Sequence, residues 1–201
     1  MDFLEIAKMR FSSKKFTGEE LPKDKVDTLL EMIKLSATAF GLQPFKVVIV
    51  KDQETKDKLL PASFNQQQIP SASHVLVFCA YTDVKQRIER YKEMMLEKGV
   101  PEENANGYIN VMNGFMERMD DSATLNWAQK QTYLAMGNAI NGAKALGFDS
   151  SPMEGFSPKD YSTILELDDN LVPTVVVPIG IAADEFKEKI RYSYSELFIE
   201  K

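Results

Sequence analysis

The chain has 201 residues, enough to bury one substantial core and within the size of a single domain. Its apolar and charged fractions, 44% and 27%, are ordinary for a globular protein, and a net charge of −6 speaks against a broad nucleic-acid or anionic-membrane surface. A single cysteine and a single histidine exclude an internal disulfide, a Cys/His metal centre and a Cys-x-x-Cys pair, and fit a reducing cytoplasm.

In chain order, Phe3 to Met9 reads as a short helical start. Leu21-Pro22 opens a second helix, with Val26, Leu29, Leu30 and Ile33 spaced as one buried stripe that ends near Leu35. Small residues from Ser36 to Gly41 form a loop ending at Gln43-Pro44, followed by a β-branched strand from Lys46 to Val50. His74 to Ala80 is a second strand. Helical patterns cover Val84 to Lys98, Glu102 to Met119, and Ser122 to Leu146. In the last of these, Gly137 and Gly142 mark places of close packing. Phe148 to Met153 reads as a short strand, Ser157-Pro158 as a helix start, and Thr174 to Ile181 as a strand buried on both faces. Ala182 to Lys201 is charged and aromatic without a strong period. No linker or repeat is visible, no apolar run approaches the ~20 residues of a membrane span, and Met1-Asp2 is not followed by a secretory pattern. The mixture of strands and dominant helices predicts one α/β or α+β layer domain.

The chemistry concentrates at the two ends. Arg10, Ser12 and Lys14 alternate in an extended segment, so they share one face, and Lys189 and Arg191 supply further cations near the other end. Guanidinium fork, hydroxyl and ammonium together suit a phosphate and the polar body attached to it. There is no Gly-x-Gly-x-x-Gly, no Walker loop and no Gly-x-Ser-x-Gly elbow. His74 at the entry of an apolar strand reads as a hydrogen-bonded structural histidine, and Cys79 in the same run as a small core residue. An enzyme with this inventory draws its hard chemistry from a bound cofactor. Tyr108, Met112, Phe115, Met116 and Met119 form a helical stripe that suits either plain core or a lid over flat molecules.

Taken in order, these pieces resemble the FMN-dependent nitroreductase family, in particular its oxygen-insensitive NAD(P)H nitroreductase and dihydropteridine reductase branch. The matching residues are Arg10-x-Ser12-x-Lys14, the loop ending Gln43-Pro44-Phe45, Asn65 before Ala72-Ser73-His74-Val75, and Trp127-x-x-Lys130-Gln131-x-Tyr133 with Gly137-Asn138. Ala145-Leu146-Gly147-Phe148-Asp149, Pro152-Met153-Glu154-Gly155-Phe156 and Lys189-x-Arg191 complete the set, which spans almost the whole chain.

The resemblance implies an α+β, three-layer nitroreductase-like fold over residues 1–201, with a central mixed sheet wrapped by helices. It implies an interlocked homodimer with FMN at the interface and NAD(P)H as reductant. Arg10, Ser12, Lys189 and Arg191 would hold the FMN phosphate, with Phe11 inside that motif. Lys14 would reach the O2/N1 side, Asn65 and Gln68 the pyrimidine edge, and Pro152, Met153, Glu154 and Gly155 would lie along the ring. Thr38, Ala39 and Gln43 would come from the partner chain, and Phe40, Gly41, Tyr108, Met112 and Phe115 would line the substrate pocket. No titrating catalytic side chain and no metal are implied. The chain departs from the family pattern at Phe40, Gly41 and Phe45, and at Gln68, where the nearest branch often carries Lys. The implied activity is two-electron, ping-pong reduction of nitroaromatics, quinones or similar flat acceptors. A specialised pteridine or enoate reductase and a flavin reservoir without turnover are the alternatives.

Overall fold

The computed structural model describes residues 2–201. Four strands form one sheet in the order β1-β2-β4-β3, with β1 Phe45–Val50, β2 His74–Tyr81, β3 Asp149–Ser150 and β4 Leu171–Gly180. All named neighbours pair antiparallel. The parallel element of the expected mixed sheet is a single isolated bridge, Ser12 to Ser150.

Strand alternation divides the core into two layers. Val75, Val77 and Cys79 of β2 face one way, with Leu59, Ile69, Phe156 and Tyr161 packed on them. Leu76 and Phe78 face the other way, onto Val26, Leu29 and Ile33 of α2 (Lys23–Lys34) and Ala135, Ala139 and Ala143 of α7 (Asp121–Ala145). Each fully buried Val, Leu or Phe here contributes about 1.5–3 kcal/mol. The alanine stripe lets α7 approach closely, and Gly142 takes this to its limit. A Cβ there would meet Met32 Sδ at 2.8 Å and Leu29 Cδ1 at 3.0 Å. Gly137 has no neighbour within 4 Å of such a Cβ in this chain.

The helices α1 (Phe3–Met9), α2, α5 (Val84–Glu97), α6 (Glu102–Met116), α7 and α8 (Pro158–Ile164) follow the sequence pattern. Ser157 caps α8 with Pro158 in its first turn. α6 ends three residues earlier than expected, because Asp120 caps α7 by accepting from Ala123 N at 2.8 Å and forces a break. Three short helices carry no clear apolar stripe in the sequence: α3 (Gln53–Ala62), α4 (Gln68–Ser71) and α9 (Tyr194–Leu197). In α3 the buried positions are Lys56, Leu59 and Ala62. Lys56 occupies an apolar place with its stem while its Nζ donates to the Ala72 carbonyl at 2.8 Å. Strand β4 begins at Leu171, three residues before the expected start. Pro173 has no N–H for the ladder, and the register shifts between Phe78 and Cys79 to accommodate it.

The segment after α1 is threaded between sheet and tail. Ser12 bridges to Ser150, Thr17 N donates to the Ile181 carbonyl at 2.9 Å, and Ala183 N donates to the Lys15 carbonyl at 2.9 Å. Asp184 then fastens both strands, its carboxylate 2.5 Å from Ser13 Oγ and accepting from Lys14 N at 2.8 Å. This threading carries the tail back to α1. Among the described residues no helix is long and apolar enough to cross a membrane.

Candidate functional site: a cationic anchor beside a clamped turn

The predicted basic set assembles from the two distant segments. Arg10 ends α1 in extended conformation, donating its own N–H to the Ile6 carbonyl at 2.9 Å. Lys189 returns to the same place, its Nζ bonded to the Lys8 carbonyl. Arg10 Nη1 is enclosed without a hydrogen-bond partner. Burial pulls the Arg10 guanidinium below its ordinary value, and Arg191 adds repulsion. Lys189 is lowered likewise, first by desolvation and then by Arg10, Arg191 and Lys144. Among the described residues none of Arg10, Lys189 and Arg191 forms an ion pair, whereas the neighbouring Lys144 is paired with Asp149 at 2.9 Å. Neighbouring cations that repel one another and lack a counter-charge, one of them with an enclosed Nη1, match an anion site. Ser12, half-buried, extends the same face, and Lys14 is exposed beyond it.

Phe11 lies outside this set. Alternation turns its ring the other way, into the core and edge-on to Phe186 at a centroid distance of 5.6 Å. Its side chain is structural, a correction to its place among the cofactor-binding residues.

The second part of the site is the turn from Pro152 to Gly155. Met153 pairs its backbone with Val176, donating at 2.8 Å and accepting at 3.0 Å, and its side chain lies in the core below. Met153 therefore anchors the turn rather than lining it. Glu154 and Gly155 are exposed on top. The Tyr133 hydroxyl of α7 donates to Glu154 Oε1 at 2.5 Å. Burial, then the hydrogen bond and charge of Glu154, push the Tyr133 phenol well above its ordinary range, so it stays a neutral donor. Gln66 Nε2 donates to the Gly155 carbonyl at 2.7 Å, and Phe156 N closes the turn on the Glu154 carbonyl at 2.9 Å.

Residues 64–68 flank this turn. Phe64 and Asn65 both have left-handed backbone, φ 53° and 58°, which Asn tolerates and Phe adopts only under strain. Asn65 keeps its side chain exposed and free of internal hydrogen bonds among the described residues. Gln68, only 3% exposed, donates to Gln66 Oε1 at 3.1 Å instead of presenting its amide to solvent. Gln66 and Phe64 were missed by sequence reasoning. Phe64 is 67% exposed, and its ring lies 3.9 Å from the position of a Cβ on Gly155. An exposed Phe beside a motif residue was the available signal.

The loop of residues 36–44 is built against α7 and α6. Ala39 N donates to the buried Gln131 Oε1 at 2.8 Å, Gln43 N to Thr38 Oγ1 at 3.0 Å, and Gln43 Nε2 to the Lys34 carbonyl at 2.5 Å. Phe40 and Gln43 hold φ of 59° and 48°, strain of the kind that collects at functional loops. Gly41, at φ 66°, is required: a Cβ would also press on Tyr91 Oη at 3.2 Å. Phe40 packs edge-on against Phe115 and Tyr108 at centroid distances of 5.4 and 6.4 Å. These three make one aromatic wall. Met112 does not belong to it, since it is fully buried in the cluster of Leu42, Val84 and Ile88, a correction to its assignment as pocket lining. No hydrogen bond among the described residues joins this loop to the anchor or to the Pro152–Gly155 turn. A cavity of about 1390 Å³ lies between α5, the opposite face of α6 and the start of α7, and shares no lining residue with any of these parts.

The other singled-out residues are structural. His74 is buried with Nδ1 2.9 Å from Ser73 Oγ, and desolvation, then Lys51, hold its pKa low. Cys79 is buried in the sheet, its thiol pushed up to about 12 by desolvation. Among the described residues no cluster of three or more His, Cys, Asp or Glu is placed to hold a metal.

An antiparallel sheet between helical layers, an unneutralised cationic anchor and an exposed glycine turn define a protein built to hold a flat, anionic cofactor. The chain belongs to the nitroreductase family, whose model matches residues 7–181. It is similar to a protein of Staphylococcus haemolyticus provisionally named an NAD(P)H nitroreductase, 32% identical over 90% of this chain and 89% of that one. It is likewise similar to YfkO of Bacillus subtilis, provisionally named the same way, 32% identical over 81% and 78%. Among solved structures, a provisionally named nitroreductase from Exiguobacterium sibiricum in complex with FMN superposes with a TM-score of 0.91 at 25% identity, covering 100% of this chain and 98% of that one. YdfN of Bacillus subtilis, provisionally named a nitroreductase, shares the fold, with a TM-score of 0.92 at 24% identity over 99% and 98%.

Proposed function

We propose that residues 1–201 form one FMN-binding domain of an oxidoreductase that takes electrons from NAD(P)H and passes them in pairs to nitroaromatics, quinones or other flat acceptors. The observation that carries this reading is the enclosed, unpartnered Nη1 of Arg10 beside Lys189 and Arg191, which fits a terminal phosphate. Arg10 and Arg191 supply forked donors, Ser12 a hydroxyl, and Lys189 a point charge. Lys14 and Asn65, both exposed and polar, are available to the head group of the same ligand. Pro152 and Gly155 offer a face without bulky side chains, and the Gly155 N–H donates to nothing among the described residues. FMN, when bound, supplies hydride acceptance and release. The chain's part is to hold it, to put a backbone donor where charge develops, and to keep water from the ring.

A homodimer fits the surface. Leu35, Leu134, Tyr192, Phe198 and Ile199 are exposed apolar residues, and Ile190 is 95% exposed. Thr38, Ala39, Phe40 and Gln43, disconnected from the anchor of their own chain, are proposed to reach the site of a second copy, with Tyr108 and Phe115 as its roof. The test is the visible spectrum and released cofactor of the purified protein, followed by anaerobic mixing with NADH and NADPH and by sedimentation. One FMN per chain, bleached within seconds and reoxidised by a quinone, is expected. A colourless protein that takes up no added FMN would overturn the reading, and slow or absent bleaching would favour a reservoir.

A further inference from the structure

We propose that Gln66, backed by Gln68, is a positioning residue that fixes the Gly155–Phe156 peptide and, through the Phe156 N–H bonded to the Glu154 carbonyl, holds the Gly155 N–H as the donor to the flavin N5. This rests on the reading that FMN lies along the Pro152–Gly155 turn. Gln66 Nε2 donates to the Gly155 carbonyl at 2.7 Å and to the Ser63 carbonyl at 3.1 Å, so one amide ties the turn to the end of α3. Its own oxygen accepts from Gln68 Nε2 at 3.1 Å. Gln68 is almost wholly buried, which fixes the rotamer of Gln66 from beneath. The clamp is relayed: Gln66 donates to the Gly155 carbonyl, the Phe156 N–H of that same peptide donates to the Glu154 carbonyl at 2.9 Å, and the N–H of the Glu154–Gly155 peptide is left free.

The fit is close enough to explain the glycine. A Cβ on residue 155 would come within 3.0 Å of Gln66 Nε2, so side chain and clamp compete for one volume. The consequence for chemistry follows from preorganisation. A backbone donor accelerates hydride transfer only if it is already aimed when charge develops, since reorientation at that moment would cost what the bond returns. An exposed turn has no such rigidity of its own. Tyr133 restrains the Glu154 side chain, and Gln66 restrains the next peptide, whose Phe156 N–H holds the Glu154 carbonyl. The arrangement also gives Gln68 a role: it acts on the ring through Gln66 and the turn, not through charge.

The experiment loads the full-length protein with FMN labelled with 15N at N5 and compares the parent with Gln66→Met, Gln66→Glu and Gln68→Met. In the parent, the N5 resonance should be that of a hydrogen-bonded nitrogen, distinct from FMN in aprotic solvent. Gln66→Met should shift it toward the aprotic value and slow anaerobic flavin reduction by NADH about tenfold, less than the loss of a donor because the N–H is kept but no longer aimed. FMN affinity should change less than about threefold, because the phosphate anchor is untouched. Gln68→Met should give a smaller shift of the same sign. Gln66→Glu separates positioning from bulk structure: its carboxylate cannot donate to the Gly155 carbonyl, whereas its protonated form can. The N5 signal of this variant should return toward the parent value as pH falls, which no loss of packing would reproduce. An N5 resonance in Gln66→Met identical to the parent's overturns the clamp while leaving the flavin site standing. A parent that holds FMN with N5 free of hydrogen bonding overturns the placement of the ring itself.

Discussion

At the anchor, three cations from opposite ends of the chain meet with no internal counter-charge, while at the Pro152–Gly155 turn nearly every acceptor already has a donor. The first region is left electrostatically incomplete, so a ligand's phosphate relieves repulsion when it binds. The second is completed in advance by neutral donors, an amide and a phenol, so that a ligand meets a fixed surface. The proposed function thus assigns affinity and reactivity to different physics. In the proposed site, charge would supply the grip and immobilised dipoles the chemistry.

Breaking the anchor gives the largest effect. Arg10→Ala should weaken FMN by the value of a charge-assisted contact, about 1.5–3 kcal/mol, or roughly 10- to 150-fold in Kd by fluorescence titration. Arg10→Lys, which keeps the charge and loses the fork, should fall between. Equal retention of FMN by all three proteins would place the phosphate elsewhere. The turn responds in the opposite coordinate. Gly155→Ala, whose Cβ intrudes on Gln66, should slow flavin reduction about tenfold in stopped-flow while Kd stays within about threefold. A variant that loses affinity and rate together would erase the division of labour.

The anchor also depends on pH through Asp184. Burial pushes this carboxyl up, but the Lys14 N–H and Ser13 hydroxyl outweigh it and hold its pKa below the ordinary carboxylate value. A carboxyl depressed in the folded state stabilises above its unfolded pKa and loses that contribution as pH falls through the folded one. Equilibrium dialysis should therefore show FMN release beginning as the medium is acidified below about pH 4, the unfolded Asp value. Asp184→Asn should release several-fold more FMN at neutral pH than the parent. Smallest is Tyr133→Phe, which removes one donor to an exposed carboxylate. About 0.5–1.5 kcal/mol and a fall in Tm of a few degrees are expected, with FMN affinity unchanged.

The helices that bury a continuous stripe, α2 and α7, were legible from spacing, as were strands β1 and β2 and the cap at Ser157. Helix α3 was not, because its inward position is a lysine whose stem imitates an apolar residue and whose ammonium finds the Ala72 carbonyl. The basic face of Arg10 and Ser12 could be read from alternation, and the same alternation argued against Phe11. Met112 was ambiguous for a physical reason: a stripe of Met and aromatic residues has one appearance whether it faces Leu42 or solvent, and only the fold decides. Gln66 carried no signal at all. Its importance arises from a contact 89 residues away that no local pattern encodes.

The anchor draws one arm from before the first strand and the other from after the last, and the two are joined through the pairing of residues 15–17 with 181–183, the Asp184 contacts to Ser13 and Lys14, and the bond of Lys189 to the Lys8 carbonyl. Occupancy of the phosphate site is then a report on closure of the whole sheet. Cofactor bound there stabilises the fully zipped chain by mass action, in proportion to the logarithm of its concentration over Kd, and contributes nothing to any state in which the terminal segments have parted. Helices α5 and α6 lie outside that circuit, so their opening is expected to leave a phosphate held there in place. The cofactor therefore works as a thermodynamic latch on one unfolding mode and is blind to another, so that hydrogen exchange in β3 and β4 should slow with added FMN while exchange in α6 follows its own, ligand-independent clock.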